Sequence, residues 1–367
     1  MKKAIAWIQR RIDLGYLVAL LVSLGVALLL GAGIILVTGR NPLQAYGALA
    51  EGAFSNWRHI GDTLEYAMVL CLCGLACDVG SRAGIFNVGG EGQLLLGGLF
   101  AAQIGVWLKD ASPWIAIPCA VLGAIAVGGF YAFIPGILKV KLKVNEVITT
   151  IMLNSVAVFL CKYFAQGPWK NSSNAEGILV SDRFGFTKLL NSNLSTAIFV
   201  SAVLTFLVWY VLQKTTKGYE MRLVGDNPRF ARFAGIKADR IVILAMVVSG
   251  MMCGLVGMFR VYGIGQKFIT TDVSNEYYFE GLMVAMIAQY MPVPTIIISL
   301  IFAILKIGAM EMQSVGVPIQ IYWIIQTAVI FCMAAQRGVR ASIAKKREKR
   351  AAERDVQLRR EGGVAHE

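Results

Sequence analysis

Leu14-Gly-Tyr-Leu-Val-Ala-Leu-Leu-Val-Ser-Leu-Gly-Val-Ala-Leu-Leu-Leu-Gly-Ala-Gly-Ile-Ile-Leu-Val-Thr-Gly39 is a 26-residue run without a charge, entered from Met1-Lys-Lys and Arg10-Arg11. A bilayer core takes about 20 apolar residues in helical form. A cleavable signal would have a shorter apolar core and a small-residue cleavage site, so the run reads as an uncleaved first membrane helix. Nine further apolar stretches follow, at roughly 62–78, 94–108, 112–138, 145–166, 196–213, 241–263, 280–291, 293–312 and 318–336. A transmembrane β-barrel would alternate residue by residue in short segments. The expected fold is therefore all-α, a polytopic membrane protein of about ten transmembrane helices.

Composition agrees. Of 367 residues, 57% are hydrophobic and 16% charged, with a mean hydropathy of +0.63. A soluble domain carries about 25% charged residues, so an ordinary soluble enzyme is excluded. The net charge of +13 is concentrated in a few segments. Residues 1–12 hold four lysines and arginines, 139–143 three, 214–240 seven, and the tail from Arg337 ten, of 35 in all. Short loops rich in Lys and Arg face the cytoplasm. With ten spans and a cytoplasmic N-terminus, all four segments lie on that side, and 167–195 lies outside. This gives a membrane domain over 1–336 and a basic cytoplasmic tail over 337–367. The tail mixes five acidic residues with its ten basic ones. It reads either as a contact for lipid headgroups or a partner, or as a solvated helix that anchors topology. No aromatics interleave with its charge, so nucleic acid is not an expected partner. Seven cysteines lie in apolar stretches and only His59 and His366 are present, which argues against disulfides, a metal site or a histidine-based hydrolase.

The least helix-like stretch is Gly80-Ser-Arg-Ala-Gly-Ile-Phe-Asn-Val-Gly-Gly-Glu-Gly-Gln93, with five glycines in fourteen residues. Each glycine costs a helix about 1 kcal/mol. Irregular backbone at membrane depth persists only when buried in protein or lining a watery cavity. On that reading Asn87, Glu91 and Gln93 line a solute path; on the other, the stretch is a cytoplasmic loop. A second break runs from Gly263 through Asn275-Glu-Tyr-Tyr-Phe-Glu-Gly281. Glu91-Gly-Gln-Leu-Leu-Leu aligns with Glu280-Gly-Leu-Met-Val-Ala at an offset of 189 residues. Paired interruptions suggest two related halves, about 14–166 and 196–336, as in transporters with internal repeats; chance similarity of apolar runs is the other reading. Phe86, Tyr277, Tyr278 and Phe279 flank the breaks, placed to stack on a planar ligand or to anchor at the membrane interface. Asn154, nine residues after Asn145, is expected to bond a neighbouring helix or to touch solute.

Within the longest cytoplasmic loop, 214–240, Gly225-Asp-Asn-Pro-Arg-Phe-Ala-Arg-Phe-Ala-Gly235 predicts a short helix from Pro228 to Ala234. Asp226 and Asn227 can cap it, Pro228 suits its first turn, and Gly235 can stop it. Such a helix can dock in a partner's groove or lie on headgroups.

Taken together, Arg82-Ala-Gly-Ile-Phe-Asn-Val-Gly-Gly-Glu-Gly-Gln93, Asn145-Glu-Val-Ile-Thr-Thr-Ile-Met-Leu-Asn154, Gly225–Ile236 and Phe279-Glu-Gly-Leu-Met-Val-Ala resemble the permease subunits of bacterial ABC importers for nucleosides. These belong to the larger branched-chain amino acid and simple-sugar permease superfamily. The resemblance implies a ten-span fold of the second importer type, paired with a second permease chain in a heterodimer. It also implies a cytoplasmic ABC ATPase and an extracytoplasmic substrate-binding lipoprotein. The chain would bind no cofactor, ATP being held by the ATPase, and would catalyse no reaction itself. By resemblance Gly225, Asn227, Pro228, Arg229, Arg232 and Gly235 form the ATPase-coupling helix. Phe86, Asn87, Glu91, Gln93, Asn154, Tyr278, Phe279 and Glu280 are the expected pathway residues. Two departures stand out: Glu65-Tyr66 where relatives usually have a proline in the second span, and Ala288-Gln-Tyr-Met-Pro292, which lacks the usual glycine. The alternatives are an ABC permease for a simple sugar such as ribose, or a proton-coupled secondary transporter using Glu91 or Glu280. A lipid-modifying membrane enzyme would need a catalytic constellation, and His59 alone does not make one.

Overall fold

A computed structural model describes residues 14–171, 177–189, 192–263, 267–268 and 276–335. The charge readings for 1–12 and the tail 337–367, and most of the second break (264–266 and 269–275), lie outside the described residues. Thirteen α-helices account for most of the described chain: α1 Leu14–Val37, α2 Pro42–Phe54, α3 Trp57–Arg82, α4 Gly90–Trp107, α5 Pro113–Leu142, α6 Glu146–Gln166, α7 Ala197–Lys214, α8 Thr216–Asp226, α9 Pro228–Phe233, α10 Ala238–Gly263, α11 Tyr277–Ile287, α12 Pro292–Glu311 and α13 Gln320–Ala335. One small sheet qualifies the all-α expectation: Ile178–Leu179 (β1) pairs antiparallel with Lys267–Phe268 (β2).

Among the described residues, seven helices are long and apolar enough to cross a membrane, and two shorter apolar ones, α11 and α13, join them. The remaining expected span, α4, is 18 residues long but carries Glu91, Gln93 and Gln103. The chain is thus a mainly helical, multi-pass membrane protein in its build.

Helix starts follow side-chain caps. Asn56 accepts from His59 N at 2.9 Å, so α3 begins five residues before the apolar stretch at 62. Asn145 accepts from Val147 N at 2.9 Å and opens α6. Asn41 accepts from Leu43 N at 2.9 Å, next to Pro42, and starts α2, a helix with no counterpart in the apolar pattern.

The described residues fall into two compact units, 14–45 with 313–335, and 46–312. In the first, α1 and α13 contribute apolar surface and the Arg40 guanidinium lies against Gly316, whose φ is +76°. In the second, α10 packs along both α4 and α5. Lipid offers helices no hydrophobic drive to associate, so small residues that admit close backbone contact decide the seam. A Cβ on Gly254 would stand 2.3 Å from the Ala124 carbonyl oxygen, and one on Gly97 would stand 2.4 Å from Gly254 Cα. Only glycine fits there.

Candidate functional site

α3 runs through Gly80 to Arg82 and α4 begins at Gly90, so the first break is narrower than 80–93 and comprises residues 83–89. Gly84, at φ +73°, turns the chain, and Ala83 N and Ile85 N both donate to the Gly80 carbonyl. The segment is buried and irregular, so its polar groups need partners, and side chains supply them. Asn87 is satisfied through both ends of its amide. Its Oδ1 accepts from Gly89 N at 3.0 Å and from Gln93 Nε2 at 3.2 Å. Its Nδ2 donates to Gln93 Oε1 and to Ser249 Oγ, each at 2.9 Å. From α6, Asn154 Nδ2 donates to the Val88 carbonyl and Asn154 Oδ1 accepts from Gly92 N, both at 2.9 Å.

The same break meets the start of α11. Glu91 Oε2 accepts from Tyr278 N at 3.0 Å, where a carboxylate satisfies a helix N-terminus. Tyr278 Oη donates to the Asn87 carbonyl. The Tyr278 ring lies over Gly90, where a Cβ would meet ring carbon at 2.1 Å. Asn87, Glu91, Gln93, Asn154 and Tyr278 therefore form one bonded group, buried except for the half-buried Asn154. Phe279 is half-buried, with its ring 6.5 Å from that of Tyr278, and Phe86 is half-buried within the break.

Glu280 belongs to a second group. Its Oε2 accepts from Tyr66 Oη at 2.7 Å and its Oε1 from Lys306 Nζ at 3.0 Å. Beside it, Arg260 Nη1 donates to Glu65 Oε1 at 2.9 Å and Nη2 to Tyr277 Oη at 2.6 Å. The guanidinium also stands 4.5 Å from the Tyr277 ring centroid. Glu65, Tyr66, Arg260 and Lys306 are not among the pathway residues that the sequence suggested. The signal was available, because ionisable residues inside apolar spans point to function.

The coupling residues form a third group. Asn227 Oδ1 accepts from Phe230 N at 3.0 Å, Pro228 occupies the first turn, and Gly235 at φ +79° ends α9, one residue short of the expected Ala234. Arg229 and Arg232 are exposed, the latter paired with Asp239 at 2.8 Å. Phe230 is 55% exposed and Phe233 92%. The loop expected around this helix also contains α8, started by Thr215, which accepts from Gly218 N. At the joint between α8 and α9, Gly225 lies against the first break: a Cβ there would stand 2.4 Å from the Arg82 carbonyl oxygen and 3.1 Å from Gly84 N.

Arg82 also reaches the other side, where its Nε donates to the Tyr290 carbonyl at 2.8 Å. Gln289 and Tyr290 take φ values of +56° and +55° in the turn between α11 and α12. A left-handed conformation costs a side-chain-bearing residue about 1–2 kcal/mol, so this turn, built without glycine, is strained. Separately, a groove of about 590 Å³ between α3, α7 and α12 has walls such as Leu64, Met68, Phe206 and Trp209, with Ser201 and Thr205 as its hydroxyls. Its apolar lining suits acyl chains better than a polar solute.

A multi-pass helical chain with a broken apolar helix, and a capped polar helix (α8) whose Gly225 lies against that break, has the build of a transport permease. The chain belongs to the family described as "Branched-chain amino acid transport system / permease component", which it matches over residues 59–334. It is 31% identical to the nucleoside ABC transporter permease protein NupB of Lactococcus lactis, over 91% of this chain and 94% of that protein. It is 31% identical to the guanosine ABC transporter permease protein NupP of Bacillus subtilis, over 92% and 98%. It is also 28% identical to the glucose ABC transporter permease protein TsgB13 of Haloferax volcanii, over 83% of each. No solved structure matches the chain.

Proposed function

We propose that this chain is the membrane permease subunit of an ATP-driven importer of nucleosides. The contact of Gly225 with Arg82 and Gly84 carries the mechanical part, because it joins the last turn of α8, next to the exposed α9, to the irregular segment of a membrane helix. The substrate class rests on the two relatives named for nucleosides and guanosine, which this chain matches over more than nine-tenths of its length. A separate cytoplasmic ABC ATPase binds ATP and receives α9, with Phe230, Phe233, Arg229 and Arg232 facing it. An extracytoplasmic lipoprotein delivers the solute, and a second, different permease chain completes the membrane part. The chain spans the plasma membrane about ten times with both ends cytoplasmic, in two related halves.

In this mechanism, closure of the ATPase pushes α9, Gly225 transmits the push to Arg82 and Gly84, and the 83–89 break shifts against α11. Asn87, Glu91, Gln93, Asn154 and Tyr278 then border the path in turn with Phe86, Phe279 and Glu280. No covalent chemistry is required of the chain. Labelled guanosine uptake, with and without this chain, tests the reading. Uptake should vanish on deletion and be competed by nucleosides but not by ribose. Competition by ribose would instead favour a sugar permease, the reading that the similarity to a glucose permease supports.

A further inference from the structure

Four charged side chains sit within α3, α10, α11 and α12, with side-chain exposures of 7% for Glu65, 11% for Arg260, 1% for Glu280 and 4% for Lys306. Desolvation offsets much of the attraction in a buried ion pair, so such pairs are poor devices for stability alone. Within a membrane span they mark function.

What these charges hold in common is the first turn of α11. Arg260, itself held by Glu65, grips Tyr277 through its hydroxyl and its ring face. Tyr66 and Lys306 take the two oxygens of Glu280. Between them Tyr278 is held from the other side, by Glu91 and by the Asn87 carbonyl. The turn is entered through Glu276 in a left-handed conformation, φ +58°, and Glu276's own side chain does not cap the helix. Side chains from α3, α10 and α12 thus set where this 11-residue helix begins. The Tyr66 and Tyr277 rings, 5.7 Å apart and edge to face, tie the two ion pairs into one assembly.

We propose that Glu65 and Arg260 are positioning residues for transport: the pair fixes the first turn of α11, and through it the placement of Tyr278 against the 83–89 break. The proposal rests on the permease reading above.

The test compares three variants in the assembled complex. Glu65→Gln or Arg260→Met alone would leave an uncompensated buried charge and lose folded protein, so the first is the double variant Glu65→Gln/Arg260→Met, which removes both charges. The second, Tyr277→Phe, keeps both charges and removes only the hydroxyl that Arg260 grips. The third, Arg260→Lys, keeps the charge but not the forked reach to two partners. Hydrogen exchange over 277–287 and guanosine uptake are read for each. Both neutralisation and Tyr277→Phe should speed exchange in α11 while the rest of the protein stays as in the wild type. The double variant should lower maximal uptake about tenfold with the half-saturating concentration unchanged, within the range seen when coupling networks are altered. Arg260→Lys should fall between. Wild-type exchange in α11, or wild-type uptake, in the double variant overturns the proposal; should that variant fail to assemble, the same results in Tyr277→Phe do so. Absence of guanosine uptake by the wild-type chain would strike the importer reading instead, and the exchange measurement would still decide the positioning.

Discussion

Replacing Gly225 with alanine adds one methyl group where the end of α8, just before α9, meets the broken membrane helix. Gly225 has no left-handed backbone, so alanine meets no conformational penalty there. Its cost is steric. The new Cβ would lie 2.4 Å from the Arg82 carbonyl oxygen, where ordinary contact begins at 3.4 Å, so the loop and the break must part by about 1 Å. Both sides are backbone and neither can rotate away. Overpacking of this kind costs about 1–3 kcal/mol, which shifts a docked-to-undocked equilibrium by roughly 5–150-fold. The contrast is Gly235→Ala, where nothing lies within 4 Å but φ is +79°. That change strains α9's end by about 1–2 kcal/mol without touching the break. The assay is guanosine uptake per ATP hydrolysed, in proteoliposomes carrying the permease, its ATPase and its binding protein. Gly225→Ala should lower this ratio by about tenfold, the equivalent of 1.4 kcal/mol, and Gly235→Ala should leave it unchanged. An unaltered ratio in Gly225→Ala would refute the transmission of force through this contact.

Three further outcomes are expected. Glu91→Gln keeps an acceptor for Tyr278 N, so uptake should persist, whereas Glu91→Ala should reduce uptake and leave assembly intact; loss of uptake in Glu91→Gln together with sensitivity to an uncoupler would favour proton coupling. Gln289→Gly relieves one of two successive left-handed residues and should stabilise the permease by about 1 kcal/mol, read as a higher midpoint in thermal unfolding. Phe233→Ala removes a side chain that is 92% exposed; the unfolding midpoint should stay put, within the ±0.5 kcal/mol usual for surface changes, while copurification of the ATPase falls by about tenfold or more, as for an interface anchor.

The membrane helices were legible because apolar length is a strong signal, and the caps that start them were legible only where a motif drew attention. Asn227-Pro228 was read as a helix start, yet the same pair at Asn41-Pro42 starts α2 unseen, since Glu51 and the polar residues around it blur any apolar period. Glycine density located the break but overstated its width: Gly80 and Gly92 are helical, held by tertiary contacts that override propensity. Asn87 and Gln93, which bond each other, and Glu91 lie within seven positions and so were visible together. Their partners Ser249 and Tyr278 are 162 and 191 residues from Asn87, and the Glu65–Arg260 pair is 195 residues apart. Sequence spacing carries no trace of such contacts. A lone glutamate at the start of an apolar run nevertheless advertises that an opposite charge lies somewhere in the fold.

The glycine seam between α10 and its two neighbours has a thermodynamic consequence. Joining Gly254 to Gly97 and to Ala124 freezes no rotamers, because there are almost none to freeze, whereas a seam of leucines would give up about 0.5–1 kcal/mol per side chain. The seam also runs on along α10, since a Cβ on Gly257 would stand 2.0 Å from the Leu94 carbonyl oxygen and one on Gly250 2.3 Å from Ala132 Cβ. α4, α5 and α10 are therefore suited to act as a single solid piece. Relative motion in the transport cycle then falls to contacts made by side chains, which can exchange partners without losing their packing.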